Sequence, residues 1–249
     1  MRLPVAIFGT LCLVACASFE TANFAPGTGQ ETLVRDGNPA VISKKPGSIV
    51  IVRPASRQFE AGRRPSYVVG LFNPGKVPLQ FVASTVTVEQ ALADGKVKPL
   101  KVFSYDELVA EEKSRQALQA FAVGLSVAAN AMNAANAGRY SANGTVYGPY
   151  GNRNFTVTGY DPAAASIAQS NAAAVNSAMI DNAIQAGQAN LAALERQILK
   201  DDTILTGEWY GGRIVFEAPA GEGAKHYKLT VLAGTDQHDF DIAQVKVAQ

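Results

Sequence analysis

Short runs that alternate apolar and polar residues occupy both ends of the chain, and longer stretches with a helical period fill its middle. Ser48–Arg53 (SIVIVR), Tyr67–Asn73 (YVVGLFN), Leu79–Val82 (LQFV), Thr85–Glu89 (TVTVE) and Lys98–Phe103 (KPLKVF) make up the first block. Arg213–Glu217 (RIVFE), His226–Ala233 (HYKLTVLA) and Asp239–Val247 (DFDIAQVKV) make up the second. Successive side chains on a strand point to opposite faces. The alternation of Leu229 and Val231 with Lys228 and Thr230 therefore reads as a half-buried strand. Asn73-Pro74-Gly75 is a turn signal between two of the runs. Short strands with frequent turns predict a β-sandwich built from residues 38–103 and 203–249.

Between the blocks the period changes. Ser104-Tyr105-Asp106-Glu107 reads as a capping box and opens a helix to about Ala137, with Leu108, Leu118, Leu125 and Met132 on one stripe. Asp161-Pro162 places an N-cap before a proline at the first helical position. The second helix runs to about Lys200, with Ile180, Ile184, Leu191, Leu194 and Ile198 at three- and four-residue spacing. At 1.5 Å per residue the two would be about 50 and 57 Å long, so residues 104–202 predict a helical hairpin projecting from the sandwich. Its tip, residues 138–160, is rich in Tyr, Gly and small polar residues, the make-up of many binding loops. A small β-hairpin, Thr145–Tyr147 against Phe155–Thr158, is the plainer expectation there, and Arg139, Tyr150 and Arg153 are the contact candidates at its extremity.

The N-terminus has a charged, then apolar, then small-residue layout: Arg2, a run from Val5 to Ala15, then Cys16-Ala17-Ser18. That run is too short to cross a bilayer core, which takes about 20 helical residues, and it has the layout of a secretory signal. Leu13-Val14-Ala15-Cys16 resembles the lipobox of bacterial lipoproteins. The resemblance implies removal of residues 1–15 and lipidation of Cys16, with residues 16–37 as a lipid-anchored tether. An ordinary secretory signal with a chance cysteine is the alternative. Under the lipobox reading Cys12 leaves with the signal, so Cys16 has no thiol partner for a disulfide or a metal. Two or three acyl chains would hold the protein on a membrane. Ala17, where an aspartate would resemble an inner-membrane retention signal, points to the outer membrane of a bacterial envelope.

The charge balance, 22 Lys and Arg against 21 Asp and Glu, has no basic excess of the kind nucleic acid attracts. Charge is unevenly spread: from Gln116 to Ile180 only Arg139, Arg153 and Asp161 are charged, among Ala, Asn, Ser and Gln. Alanine-rich helices can pack closely on each other, and a face without charge can also be one that another chain covers. Bilayer insertion is disfavoured by Asn130, Asn133 and Asn136, because amides in lipid need partners.

Candidate chemistry is sparse. No nucleophile elbow, P-loop or His-Glu-x-x-His motif occurs, and no catalytic residue, metal site or cofactor is expected. His238 is flanked by Asp236, Asp239 and Asp241, but strand alternation puts Asp239 and Asp241 on the face opposite the histidine. Sharing parity with Phe240 and Ile242, His238 is expected to line the sheet surface near its end. Trp209, the one tryptophan, stands beside Tyr210 in TGEWYGG; the pair could stack on a sugar ring, although a tryptophan plugging the end of the sandwich is the commoner arrangement.

Tyr67–Glu89 and Leu194–Glu217, with the Ala/Gly/Tyr-rich stretch between them, resemble bacterial lipoproteins of uncharacterised activity. The fold implied is α+β: an antiparallel immunoglobulin-like β-sandwich interrupted by a long antiparallel α-helical hairpin. The family brings no activity with it. The resulting expectation is a non-enzymatic envelope lipoprotein that holds a protein partner, or a second copy of itself, through the hairpin. A glycan- or peptidoglycan-binding module using Trp209 and Tyr210 is the alternative.

Overall fold

The computed structural model describes residues 18–247 apart from 36, 150 and 222, and shows a mixed α+β chain with two helices and several antiparallel sheets. In chain order the first strands are β1 (Phe19–Ala25), β2 (Gln30–Arg35), β3 (Asn38–Lys44), β4 (Ile49–Pro54) and β5 (Phe59–Glu60). They are followed by β6 (Ser66–Phe72), β7 (Leu79–Phe81), β8 (Thr87–Ala91) and β9 (Val97–Leu100). Helix α1 (Tyr105–Asn136), the strand pair β10 (Arg139–Gly148) and β11 (Gly151–Tyr160), and helix α2 (Pro162–Gln197) come next. The chain closes with β12 (Asp202–Ile204), β13 (Trp209–Val215), β14 (Lys225–Ala233) and β15 (Asp236–Lys246). It divides into two compact units: one runs up to Ser104 and resumes at Gln197, and the other is Tyr105–Arg196.

The first unit holds a six-stranded sheet, in the order β5-β1-β15-β14-β8-β9, and a five-stranded sheet, β13-β6-β4-β3-β2. A small pair, β12-β7, completes it. Both large sheets contribute alternate residues to one core. Val50 and Val52 of β4 and Tyr67, Val69 and Leu71 of β6 come from the smaller sheet; Val88, Tyr227, Leu229, Val231, Phe240 and Ile242 come from the larger. Each such side chain contributes about 1.5–3 kcal/mol on burial. Tyr67 is central, with its ring stacked on Phe216 at 5.8 Å and edge-on to Tyr227 at 6.2 Å.

Four features differ from the reading of the sequence. The tether expected over residues 16–37 is replaced, from Phe19 to Arg35, by β1 and β2. β1 pairs with β15, and Glu20 and Ala22 face the interior. A glutamate at an inward position breaks the apolar alternation by which a strand is recognised. Helix α2 stops at Gln197 rather than Lys200. Ile198 and Leu199 enter the sheet core, with Leu199 N–H bonded to Arg213 C=O at 3.0 Å. This crossing needs Gly212, since a Cβ there would lie 2.6 Å from the Leu199 nitrogen. β3 was not read as a strand because Asn38 and Ser43 occupy inward positions. The β10–β11 pair is ten residues per strand and puts Thr145 opposite Asn154, so Tyr147 faces Asn152 instead of Phe155.

In the second unit, hydrogen bonds join α1 and α2 along much of their length. Glu112 accepts from Asn190, Gln116 donates to the Gly187 carbonyl, and Asn130 donates to Asn176. Positions rise on one helix as they fall on the other. Asp161 caps α2, its Oδ1 accepting from the N–H groups of Ala163 and Ala164 at 2.9 and 3.1 Å.

Candidate functional site

Cys16 and Tyr150 lie outside the described residues. Arg139 opens β10 opposite Tyr160, at the base of the strand pair, and Arg153 pairs with Val146 near the turn. The two arginines were expected together at the extremity. Seven residues of strand separate their rows, about 24 Å, and strand parity puts them on opposite faces. The long register is the cause: it leaves only Pro149 and residue 150 between Gly148 and Gly151. One face of the ribbon is polar, with Thr145 donating to Asn154 and Thr156 to Asn143. The other carries Tyr140, Val146, Phe155 and Val157, all exposed.

Trp209 and Tyr210 do not form one stacking surface, because adjacent strand residues face opposite ways. Trp209 is 57% exposed and lies on its cross-strand partner Phe72, with ring centroids 5.0 Å apart. It does not plug the end of the sheets. Tyr210 turns inward, packs against Phe81, and its hydroxyl donates to the Lys200 carbonyl while accepting from the Lys200 N–H, both at 3.0 Å. Tyr210 thus fastens the chain leaving α2 to β13.

His238 is fully buried rather than at the sheet surface. Parity with Phe240 and Ile242 is as expected, but that face is the core. The Ser48 hydroxyl lies 2.8 Å from His238 Nε2 and 2.9 Å from Asp236 Oδ2, and Ser43 Oγ lies 2.9 Å from His238 Nδ1. A carboxylate can only accept, so Ser48 gives its proton to Asp236 and receives the Nε2–H. Nδ1 is then the acceptor for Ser43, and the ring is neutral. Burial lowers the His238 pKa to about 4; the positive charge of Lys45 works in the same direction, and Asp236 and Asp239 oppose it. This is no catalytic triad: the aspartate binds the serine instead of the histidine, and the serine proton points away from the base. The cluster ties β3 and the start of β4 to β15, joining the two sheets.

A second polar network was missed in the sequence. Lys225 Nζ lies 2.7 and 2.9 Å from the two carboxylate oxygens of Glu20. Gln244 Nε2 donates to Glu20 Oε2 at 2.5 Å, and Tyr227 donates its hydroxyl to Gln244 Oε1 at 2.9 Å. The Tyr227 and Tyr67 hydroxyls bond to each other. Lys225 is 4% exposed, and Glu20 and Gln244 are each 1% exposed. Burial raises the pKa of both tyrosines well above 10, so both remain protonated donors at neutral pH. Lys225 and Gln244 stand directly opposite each other on β14 and β15, and β1 brings Glu20 beside both. The signal available in sequence was Glu20 at the parity of Ala22, with a pairing partner more than two hundred residues away.

Among the described residues no group of three or more His, Cys, Asp or Glu is placed to hold a metal ion. Helix α1 is long and apolar enough to cross a membrane by length and composition. No protein-family model, curated protein or solved structure matches the chain.

Proposed function

We propose that this chain is a non-enzymatic lipoprotein of a bacterial envelope, anchored through Cys16 and working as a self-associating scaffold through its helical insertion. In this proposal the fold is an immunoglobulin-like sandwich interrupted by an antiparallel helical hairpin. Its support is one core between two antiparallel sheets and the reciprocal bonds between α1 and α2; the consecutive placing of β2, β3 and β4 in one sheet departs from a Greek-key pattern. The lipobox at Leu13–Cys16 is the support for place, and Ala17 after the cysteine is the support for the outer membrane.

The observation that carries the contact is a stripe on α1. Leu118, Phe121, Leu125 and Met132 are each more than half exposed. At 100° per residue they lie roughly 160° around the helix from Glu112, Gln116 and Asn130, which bond to α2. Leu118, Leu125 and Met132 recur every seven residues, with Phe121 and Ala128 between them, which is the seam spacing of paired helices. No charge flanks the seam from Gln116 to Asn136, so a second copy of α1 meets it without repulsion.

Crosslinking in intact envelopes, with light scattering of the delipidated mature chain, tests this reading. Wild type should form a discrete oligomer, and the double variant Leu118→Glu, Leu125→Glu should be monomeric with unchanged circular dichroism. Cys16→Ala should leave the membrane fraction. A wild-type chain that stays monomeric in both settings overturns the contact. Glycan binding is the second reading, and Trp209 on Phe72 is the surface that supports it, without Tyr210.

A further inference from the structure

We infer that Lys225 and Gln244 are poised to form an intramolecular amide crosslink, with Glu20 as the proton carrier and Tyr227 as the donor to the developing oxyanion. A buried ion pair is a costly way to stabilise a core, since well-packed apolar residues of similar size do as well or better. The arrangement here holds more than an ion pair. An amine, a carboxamide and a carboxylate meet in the buried interior: Glu20 Oε2 accepts from Lys225 at 2.9 Å and from Gln244 at 2.5 Å. The same oxygen therefore reaches both the nucleophile and the leaving group. On the other side of the carboxamide, Tyr227 donates to Gln244 Oε1 at 2.9 Å, where negative charge develops when the carbonyl carbon becomes tetrahedral. Cross-strand register sets Lys225 and Gln244 directly opposite each other, and both side chains reach the same oxygen of Glu20.

The step balances without any added reagent. Lys225 passes a proton to Glu20, and the neutral Nζ attacks Cδ of Gln244, forming the Nζ–Cδ bond. Oε1 carries the negative charge against the Tyr227 hydroxyl. Glu20 protonates Nε2 and, a carboxylate again, takes a second proton from the attacked Nζ; the Oε1 electron pair re-forms the carbonyl, the Cδ–Nε2 bond breaks, and ammonia leaves. Of the three protons on the lysine ammonium, one stays on the new amide nitrogen, one departs with ammonia and one remains on the Glu20 carboxyl. The product has no charge left in the core, which removes the cost of the ion pair. The crosslink fastens β14 to β15 next to β1, the first strand among the described residues. It is a single self-modification and does not rest on the proposed scaffold role.

Intact-mass spectrometry of the folded mature chain is the test, with tandem fragmentation to place any change. The expected result is a mass lower than the sequence by one ammonia, located on a branched peptide pair containing Lys225 and Gln244. Glu20→Gln and Lys225→Met should keep the full sequence mass, and Tyr227→Phe should slow the reaction by roughly a hundredfold. If Glu20→Gln fails to fold by circular dichroism, Tyr227→Phe, which keeps the ring in place, still reads the mechanism. Full sequence mass in the folded wild type after prolonged incubation at neutral pH overturns the proposal. So does loss of water in place of ammonia, which would put the new bond on Glu20, and so does an ammonia loss that maps elsewhere.

Discussion

His238 illustrates how one residue can carry a measurable property without taking part in catalysis. Its ring is neutral in the folded chain, held between Ser43 and Ser48, and burial with Lys45 nearby brings its pKa from 6.5 down to about 4. The unfolded chain takes up a proton near pH 6.5 and the folded chain does not until about pH 4. Stability from this residue is therefore complete above pH 6.5 and is lost as the pH falls from there to about 4, by an amount on the order of 3 kcal/mol. Urea unfolding at pH 7.0, 5.5 and 4.5 measures it. The wild type should weaken across that window more than His238→Asn does, because carboxylates elsewhere contribute equally to both proteins. Parallel pH profiles for the two would mean that the histidine is not the neutral, buried group its bonding describes. Of the three aspartates near this histidine in sequence, Asp236 reaches it only through the Ser48 hydroxyl.

At the scale of elements, the β10–β11 ribbon is the clearest test of how local rules operate. An isolated two-stranded ribbon is marginally stable. This one places Phe155 over Gly144 and Tyr140 over Gly159, each ring covering its directly paired glycine, so that a Cβ on Gly159 would lie 2.3 Å from the tyrosine ring. Gly159→Val should displace Tyr140 and raise amide hydrogen exchange across Arg139–Tyr160 by roughly tenfold or more, with little change in α2 beyond its first turn. Equal exchange in variant and wild type would show that the aromatic–glycine pairs do not hold the ribbon. The ribbon's existence was legible in its Gly, Tyr and Thr content, but its register was not. Nothing in a polar, glycine-rich sequence distinguishes Thr145 opposite Asn154 from a slip of one or two residues. The same difference applies elsewhere. Strands with apolar alternation, such as β4, β6, β14 and β15, were legible within a residue or three, and so was the start of α2 at its Asp-Pro cap. β1 and β3 were hidden because Glu20, Asn38 and Ser43 sit at inward positions, and the partners of Glu20 and Ser43 are supplied by distant strands. The polar networks were illegible for the same reason: period identifies a face, but only tertiary pairing brings Lys225, Gln244 and Glu20 together.

For the whole molecule, the decisive fact is where the helical unit leaves and rejoins the sheets. Phe103 donates its N–H to the Val215 carbonyl and Leu199 donates to Arg213, so both ends of the insertion are held on β13 two residues apart, roughly 7 Å. Every residue of the large apolar core lies outside Tyr105–Arg196. The sheets therefore have what they need to fold without the helices, and the helices have cross-bonds of their own. Replacing residues 105–196 with four Gly or Ser residues, which reach up to about 13 Å, bridges the gap at a small loop-closure cost. The spliced chain should unfold cooperatively in urea and retain a near-ultraviolet signal from Trp209 on Phe72 and from the buried tyrosines. A smaller unfolding slope is expected from its reduced surface. It should also retain the Lys225–Glu20 contact, and with it any crosslinking, since Glu20, Lys225, Tyr227 and Gln244 all lie in the sheets. Loss of cooperativity would mean that the helical unit templates the sheets. Retention, with loss of self-association, would assign the fold to one unit and contact to the other. A chain whose insertion leaves and rejoins within two residues of one strand is one in which the inserted surface can change without disturbing the core that supports it.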